Sequence, residues 1–543
     1  LFSAILVYVK TPFAHLPVRV EGAVMSTKKT VVKAAVVILV ISILARVLGL
    51  VRDIVVGHYF GTSTLKDALV TASKIPDAVY AIIGGALFAA FIPVFTATDI
   101  NKGRAEASRV ASYTANIAII LTSIITVVCV VMAPWIIKHM VPGWSAEVQA
   151  LTVNLTRILM PCILINTVMT LQKGILNSFQ HFAAPTLTSV VYTATVIASV
   201  YLLAPSWGIY GLAVGILIAA LTQIFVQLPP MFGRGLHYTP KIAWDSSELR
   251  RIGELIYPVL IQLAISQIYI VFIESVLVSQ LPSGSVSSLD FGRKLRDLPF
   301  NLFVMTINTA VLPSMAEMAA KKDYDGLGET TVFGINLISL FTLPAAVGLF
   351  VLATPIVQLL FQHGAFDARS TAMTAFALQF FVIGLFAMGV FNVLYRAFYS
   401  IQDTRTPVII SIVIVFVNGI LAWLLMKSLQ HGGLALASSL AATVNMILAY
   451  WYLRRKLPTI PEKRMFVNLG KMLLASALMG LGVYAIDILV SGLLPAHSFI
   501  WQALSLAVSM GIGIIAYLLL VVVLRVEEAW YVYQRIASRL VKR

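Results

Sequence analysis

Apolar stretches of membrane-spanning length recur along this chain, a helix that crosses a bilayer needing about 20 apolar residues in a row. They cover about 31–52, 67–97, 110–138, 151–179, 186–204 and 208–232, and then about 254–281, 286–319, 331–360, 372–401, 407–427 and 433–453. Two more run over about 467–494 and 498–524. The longest hydrophilic stretch, GRGLHYTPKIAWDSSELRRIGE, separates the sixth segment from the seventh. The pattern predicts an all-α polytopic membrane protein of about 14 transmembrane helices.

The chain repeats itself. Lys74, Asp77 and Pro93 in the second segment recur as Lys294, Asp297 and Pro313 in the eighth, each 220 positions later. Ser178, Gln180 and Pro185 recur as Ser400, Gln402 and Pro407, 222 positions on. Two pseudo-symmetric halves of six helices each account for this, and because six is even the halves are parallel. The domain reading that follows is a disordered leader at 1–30, one six-helix lobe at 31–232 and a cytoplasmic linker at 233–253. A second lobe at 254–455, two additional helices at 456–525 and a basic amphipathic tail at 526–543 complete it. Residues 1–24 carry no clear secretory signal, and we expect Met25 to open the functional protein and the leader to be dispensable.

Lys and Arg concentrate at the N-terminus, in the tail and in the loops after segments two, six, eight, ten and twelve. The alternate loops hold few, namely Lys66, Lys138, Arg369 and Lys427. That alternation places both termini in the cytoplasm. Composition agrees: 59% hydrophobic and 11% charged residues in 543, with mean hydropathy +0.92, exclude a soluble globular protein. The net charge of +16 belongs against the membrane, so no nucleic-acid partner is expected. Cys129 and Cys162 lie inside apolar segments and read as core hydrophobes.

The charges within the spans carry the chemistry. Arg or Lys at a helix centre costs about 2.5–3.5 kcal/mol on insertion. A Leu or Ile returns only about 0.3–0.6 kcal/mol. Arg46 and Arg52 in the first segment therefore point to a protein-lined cavity that receives an anion. Arg46 and Asp53 share a helix face with Gly49 between them. Lys74 and Asp77, like Lys294 and Asp297, are spaced to neutralise one another, yet Arg293, Lys294 and Arg296 together outnumber Asp290 and Asp297. We expect the eighth segment to add to a cationic cavity. Asp67 and Ser287, also 220 apart, are expected near each other at the periplasmic seam of the halves. Glu274 is the acidic residue deep in an apolar span, and with Asn418 and Thr443 it could supply oxygen ligands to a coupling cation. No catalytic constellation occurs, so the residues argue transport rather than an enzyme, and no cofactor is expected beyond a coupling cation or the membrane potential.

At RVLGLVRD, KIPD, ALFAAFIPVF, GSVSSLDFGRKLRDLP, LLFQHGAFD and YRAFYSIQDTRTPV the chain resembles the MurJ (MviN) family. These are lipid II flippases within the multidrug/oligosaccharidyl-lipid/polysaccharide exporter superfamily, and the resemblance covers about 26–525. It implies that the substrate is lipid II, an undecaprenyl pyrophosphate carrying a disaccharide-pentapeptide, moved across the bacterial cytoplasmic membrane by alternating access through a cationic central cavity. The family's first-helix cations match Arg46 and Arg52, and its acidic position opening the second helix matches Asp67. Tyr80 and Ala81 stand where the family often has an Arg pair, and its eighth-helix Arg falls on Lys294, a point charge in place of a planar fork. The resemblance also gives segments thirteen and fourteen a role as a groove for the polyprenyl tail. A drug or cation antiporter, or another lipid-linked polysaccharide exporter of the same superfamily, is the alternative. The excess of Arg and Lys over carboxylates in segments one, two and eight speaks against cationic drugs.

Overall fold

The computed structural model describes residues 21–241, 243, 245–457, 459–493 and 499–530. The expected leader before Glu21 and the tail from 531 lie outside the described residues, which form helices and no strands. The first segment is α1 (Glu21–Phe60), which begins ahead of residue 31, followed by α2 (Thr64–Lys102) and α3 (Arg104–Met140). The fourth is bent into α4 (Ala146–Leu159) and α5 (Cys162–Ser178), and α6 (Ala183–Leu202) and α7 (Ala204–Phe232) follow. The seventh runs through α8 (Ser247–Ile268), a π-turn and α9 (Glu274–Val278). The eighth runs through α10 (Ser285–Pro299), a second π-turn and α11 (Met305–Ala320). Then come α12 (Tyr324–Val351), α13 (Ala353–Phe361), α14 (Ala368–Ile383), α15 (Leu385–Ser400), α16 (Arg405–Lys456), α17 (Glu462–Leu493) and α18 (Phe499–Val523).

Local chemistry sets the helix ends. Ser63, Ser145, Asp323 and Asp367 each accept a backbone N–H of the first turn and so cap α2, α4, α12 and α14. Pro299 brings no N–H, and the ladder slips into the π-turn Phe300–Val304 directly after it. Among the described residues eleven helices are long and apolar enough to cross a membrane. One of them, α16, is 52 residues long and breaks at Gln430 (φ 51°, ψ −130°), so it holds the eleventh and twelfth segments end to end.

The repeat is visible in the backbone. The break at Gln430 has its twin at Gly208 (φ 55°, ψ −134°), 222 positions earlier. Three residues after each break, Gly211 and Gly433 lie so close to the carbonyls of Leu203 and Leu425 that a Cβ would strike them. Gln180 and Gln402, the repeated pair that ends the fourth and tenth segments, both take positive φ, 55° and 60°.

The chain divides into two compact units, each described here by itself. The first takes the described residues through Ser287 together with His363–Phe366. Because lipid tails are as apolar as Leu, close packing and polar contacts hold such helices together more than water exclusion does. Val55, Val56, Phe60 and Leu69 pack with Leu155, Leu159 and Val196, and Phe91 stacks on Phe95 at 5.2 Å between centroids. The stretch 233–241 lies along α3. Ser108 Oγ donates to His237 O (2.7 Å), while Asn116 Nδ2 donates to Thr239 O (3.0 Å) and Lys241 O (2.8 Å). The division differs from the lobes read off the sequence, because the seventh segment belongs with the first six. Its bonds to α2, given below, and the bond from Gly143 N to Ser279 Oγ (3.3 Å) are the physical reason.

The second unit takes Ser288–Gln362 and the chain from Asp367 onward. Its core joins Val304, Ile307 and Val311 to Ile335, Ile338, Leu394 and Phe398. The two additional helices pack here, and Tyr517 Oη donates to Leu340 O (2.9 Å). Glu528 is 3% exposed and accepts from Asn336 Nδ2 (2.8 Å) and Asn468 Nδ2 (3.2 Å).

Candidate functional site

In the first unit the polar face of α1 is open. Arg46 is exposed, and a Cβ built on Gly49 meets nothing within 4 Å. Arg52 turns back on its neighbour, and Asp53 Oδ1 accepts from Nε (3.1 Å) and Nη2 (2.9 Å). The carboxylate is the buried member, 11% exposed against 26% for the guanidinium. A guanidinium is a planar fork whose geometry suits bidentate recognition of a phosphate.

One turn into α2, Asp67 is 3% exposed and fully engaged. It accepts from Gly284 N (2.6 Å), Ser287 N (2.7 Å) and Ser287 Oγ (2.6 Å), all at the start of α10. Asp67 and Ser287 are thus in direct contact inside the first unit. The carboxylate caps that helix and leaves little room for a ligand of its own. Thr64 and Ser283 hydroxyls meet beside it at 2.6 Å.

Further along α2, Lys74 faces the seventh segment. Its Nζ donates to Ser275 Oγ (3.0 Å) and lies 3.6 Å from Glu274 Oε1, with both charged side chains about a tenth exposed. Lys74 and Glu274, expected in separate roles, are brought together. The Lys74 ammonium stands against the carboxylate that was expected to hold a cation. Asn418 and Thr443 belong to the second unit, where Thr443 Oγ1 donates to Ser439 O (3.0 Å) and Asn418 Oδ1 is buried without a partner among the described residues. No group of three or more His, Cys, Asp or Glu side chains fit to hold a metal occurs among the described residues.

In the second unit α10 carries the remaining expected residues. Lys294 Nζ is 2.9 Å from Asp290 Oδ2, one turn back. Asp297 Oδ1 accepts from Arg296 Nε (2.9 Å) and Nη2 (2.6 Å). Arg293 and Arg296 hold their guanidinium carbons 5.6 and 5.0 Å from the centroid of buried Phe381 on α14. Cation–π contact of this kind suits the buried Arg296. Of the three cations over 290–297, Arg296 is buried while Arg293 and Lys294 stay partly exposed. Sequence reasoning missed Arg296 as the buried partner of Asp297. The signal was there in Gly292, whose missing Cβ lets Ala377 and Leu378 come close and which sits one turn before Arg296.

The chain matches known proteins over most of its length. The family model described as "Lipid II flippase MurJ" matches residues 56–526. A probable lipid II flippase of Vibrio cholerae is 29% identical over 521 residues, covering 93% of this chain and 98% of its own. A probable lipid II flippase of Haemophilus influenzae is 30% identical, covering 82% of this chain and 90% of its own. Among solved structures, a lipid II flippase in an inward closed conformation superposes with TM-score 0.74 at 25% identity over 89% of this chain and 98% of its own. An inward-facing multidrug resistance transporter of the MATE family shares the fold, with TM-score 0.67 at 15% identity over 79% of this chain and 99% of its own.

Proposed function

Since the chain belongs to the MurJ family of lipid II flippases, we propose that it carries lipid II across the bacterial cytoplasmic membrane with both termini in the cytoplasm, and that Arg46 and Arg52 take the pyrophosphate. The observation that carries the site assignment is the open cationic face of α1, where Gly49 leaves space beside an exposed Arg46 and a half-exposed Arg52 fixed by Asp53. The pyrophosphate concentrates negative charge on closely spaced oxygens, and paired guanidinium groups bind such oxygens through charge-assisted, bidentate bonds. Alternating access is the mode of movement that fits a chain built from two parallel repeats. The Lys74–Glu274 contact favours the membrane potential over a cation at Glu274 as the drive, because the carboxylate already faces an ammonium.

The test is lipid II flipping by the full chain in proteoliposomes, with replacement of a conditional flippase in a growing bacterium alongside. Wild type should flip and support growth. Arg46→Ala and Arg52→Ala should insert and express but lose flipping. Arg52→Lys should recover little, because a point charge cannot both hold Asp53 and fork a phosphate. Full activity in both alanine variants would remove α1 from the binding site.

A further inference from the structure

The turn that ends the fourth segment and its twin 222 positions later share a backbone, but the side chain that spans the turn differs. Ser178, Gln180, Pro185 and Ser189 fall on Ser400, Gln402, Pro407 and Ser411, and Gln180 and Gln402 both take positive φ. Lys173 falls on Tyr395, and Gln223 on Asn445. In the second unit Tyr395 Oη donates to Asn445 Oδ1 (2.9 Å) and lies 3.4 Å from Ser411 Oγ and 3.5 Å from Pro407 O. The phenol thus closes the angle between the end of α15 and the start of α16.

In the first unit no phenol stands at that position, and a cavity of about 320 Å³ opens at the corresponding residues. Lys173 and Asn177 of α5 line it, with Phe182, Pro185, Thr186 and Ser189 around the start of α6. The volume is at the lower end of the range for small-ligand sites. The Thr186 hydroxyl is committed to Phe182 O (2.7 Å). The side chains of Lys173, Asn177 and Ser189 make no hydrogen bond or ion pair among the described residues. Gln223, the twin of the residue that Tyr395 binds, is 8% exposed and likewise makes no hydrogen bond among the described residues.

The charge of the cavity is unbalanced. No Asp or Glu occurs between Glu147 and Asp245, so α5 and α6 carry no carboxylate to meet the Lys173 ammonium. Beside the same turn, Arg104 lies over the Phe179 ring (4.1 Å) and itself holds Asp99 through two bonds (2.7 and 3.1 Å). Phe182, on the cavity wall, is a large apolar side chain left 41% exposed. An ammonium with two neutral donors at the end of a span, next to exposed apolar surface, suits a phosphate that arrives attached to a hydrocarbon chain. The geometry points to a binding site for the phosphate group of a lipid headgroup, with Lys173 supplying the charge and Asn177 and Ser189 the neutral hydrogen bonds. On the orientation proposed above it faces the cytoplasmic leaflet, whose surface is anionic. A bilayer phospholipid and a lipid-linked cargo share this recognition chemistry.

The experiment places a thiol in the wall and leaves the three donors in place. Thr186→Cys is made in the full chain together with Cys129→Ala and Cys162→Ala, and its reaction with a small maleimide is timed in mild detergent. Short-chain phosphatidylglycerol, lipid II and inorganic phosphate are titrated separately. The lipids should slow labelling severalfold, and inorganic phosphate at the same concentrations should leave it unchanged. Protection by phosphatidylglycerol supports the site with a bilayer lipid as occupant, and protection by lipid II at lower concentration supports it with the cargo as occupant. Lys173→Met should raise the lipid concentration for half-protection by about tenfold, and Lys173→Arg should restore it. Asn177→Leu, which keeps the ammonium, should give a smaller shift in the same direction. Lys173→Tyr, the residue of the other repeat, should shield the thiol with no lipid added. Labelling that neither lipid slows, or half-protection unmoved in both Lys173→Met and Asn177→Leu, would overturn the site. Equal protection by inorganic phosphate would overturn the lipid as its source.

Discussion

Gln430 occupies backbone space that side chains avoid, and replacing it with glycine should stabilise the protein. Its φ of 51° with ψ of −130° lies outside the usual allowed regions, and the residue 222 positions earlier in the other repeat, with nearly the same angles, is Gly208. A non-glycine residue held in such a conformation costs about 1–3 kcal/mol. Glycine brings an opposing term, since the unfolded chain gains freedom worth about 0.4–1 kcal/mol. The Gln430 side chain is exposed, so little packing is lost with it. The net expectation for Gln430→Gly is a gain of about 1 kcal/mol. Gly208→Gln is the mirror experiment. Nothing lies within 4 Å of a Cβ at Gly208, so steric clash does not confuse the result and the cost is conformational. It should destabilise by about 1–2 kcal/mol, and the two changes should add in the double variant because they lie in different units. The assay is unfolding of the purified protein in mild detergent titrated with SDS, followed by tryptophan fluorescence. A neutral or destabilising Gln430→Gly, or a tolerated Gly208→Gln, would refute the claim that both turns demand the same glycine-like backbone.

Three other expectations are open to the same methods. Glu274→Gln leaves the Lys74 ammonium buried without its carboxylate and should cost about 3 kcal/mol, whereas Lys74→Met with Glu274→Gln should recover most of that. If the double variant also keeps the wild-type response to ion gradients in flipping assays, Glu274 is a partner of Lys74 and no ion site. Asp67→Ala should cost about 2–4 kcal/mol in the unfolding assay, since the backbone N–H groups of Gly284 and Ser287 lose an ionised acceptor. Asp403, in the turn after α15, gives a pH dependence. Burial pushes its carboxyl up, but the bonds from Lys456 and Thr406 outweigh burial and hold it at about 2, against 3.8 for a free Asp. Its folded pKa is depressed, so its contribution is present above pH 3.8 and is lost as the pH falls toward about 2. Lys456→Met should raise the Asp403 pKa and flatten the acid limb of stability over that window.

The spans and the repeat were legible because insertion into lipid constrains composition so strongly. About twenty apolar residues in register are hard to mistake, and a charge inside them is too costly to be accidental. Arg46 and Arg52 stood out for that reason alone. Partnerships were much less legible. Lys74 has Asp77 three residues on, a spacing that brings a local partner into view, but its reach to Glu274 on another helix leaves no such trace. Helical periodicity brings neighbours into view and says nothing about which helix lies opposite. The twin breaks at Gly208 and Gln430 were invisible for another reason, since backbone geometry was kept while residue type was not. Arg293, Lys294 and Arg296 looked like one cationic group because counting ignores direction. The helix sends Lys294 to Asp290 and brings Arg293 and Arg296 toward Phe381.

That last difference bears on why a repeated architecture carries unlike charges. Two parallel repeats offer two similar frameworks, and the shared breaks at 208 and 430 show how closely the backbones still agree. A lipid-linked cargo has no such symmetry. Identical surfaces in both repeats would serve one part of it twice and the rest not at all. At the 220-residue offset Arg52 and Asp53 fall on Phe272 and Ile273, and Arg296 and Asp297 fall on Pro76 and Asp77, so each Arg–Asp pair is an addition of its own half and not a repeated feature. In each pair the more exposed charge keeps a counter-ion behind it, which limits the desolvation cost of holding it within a membrane.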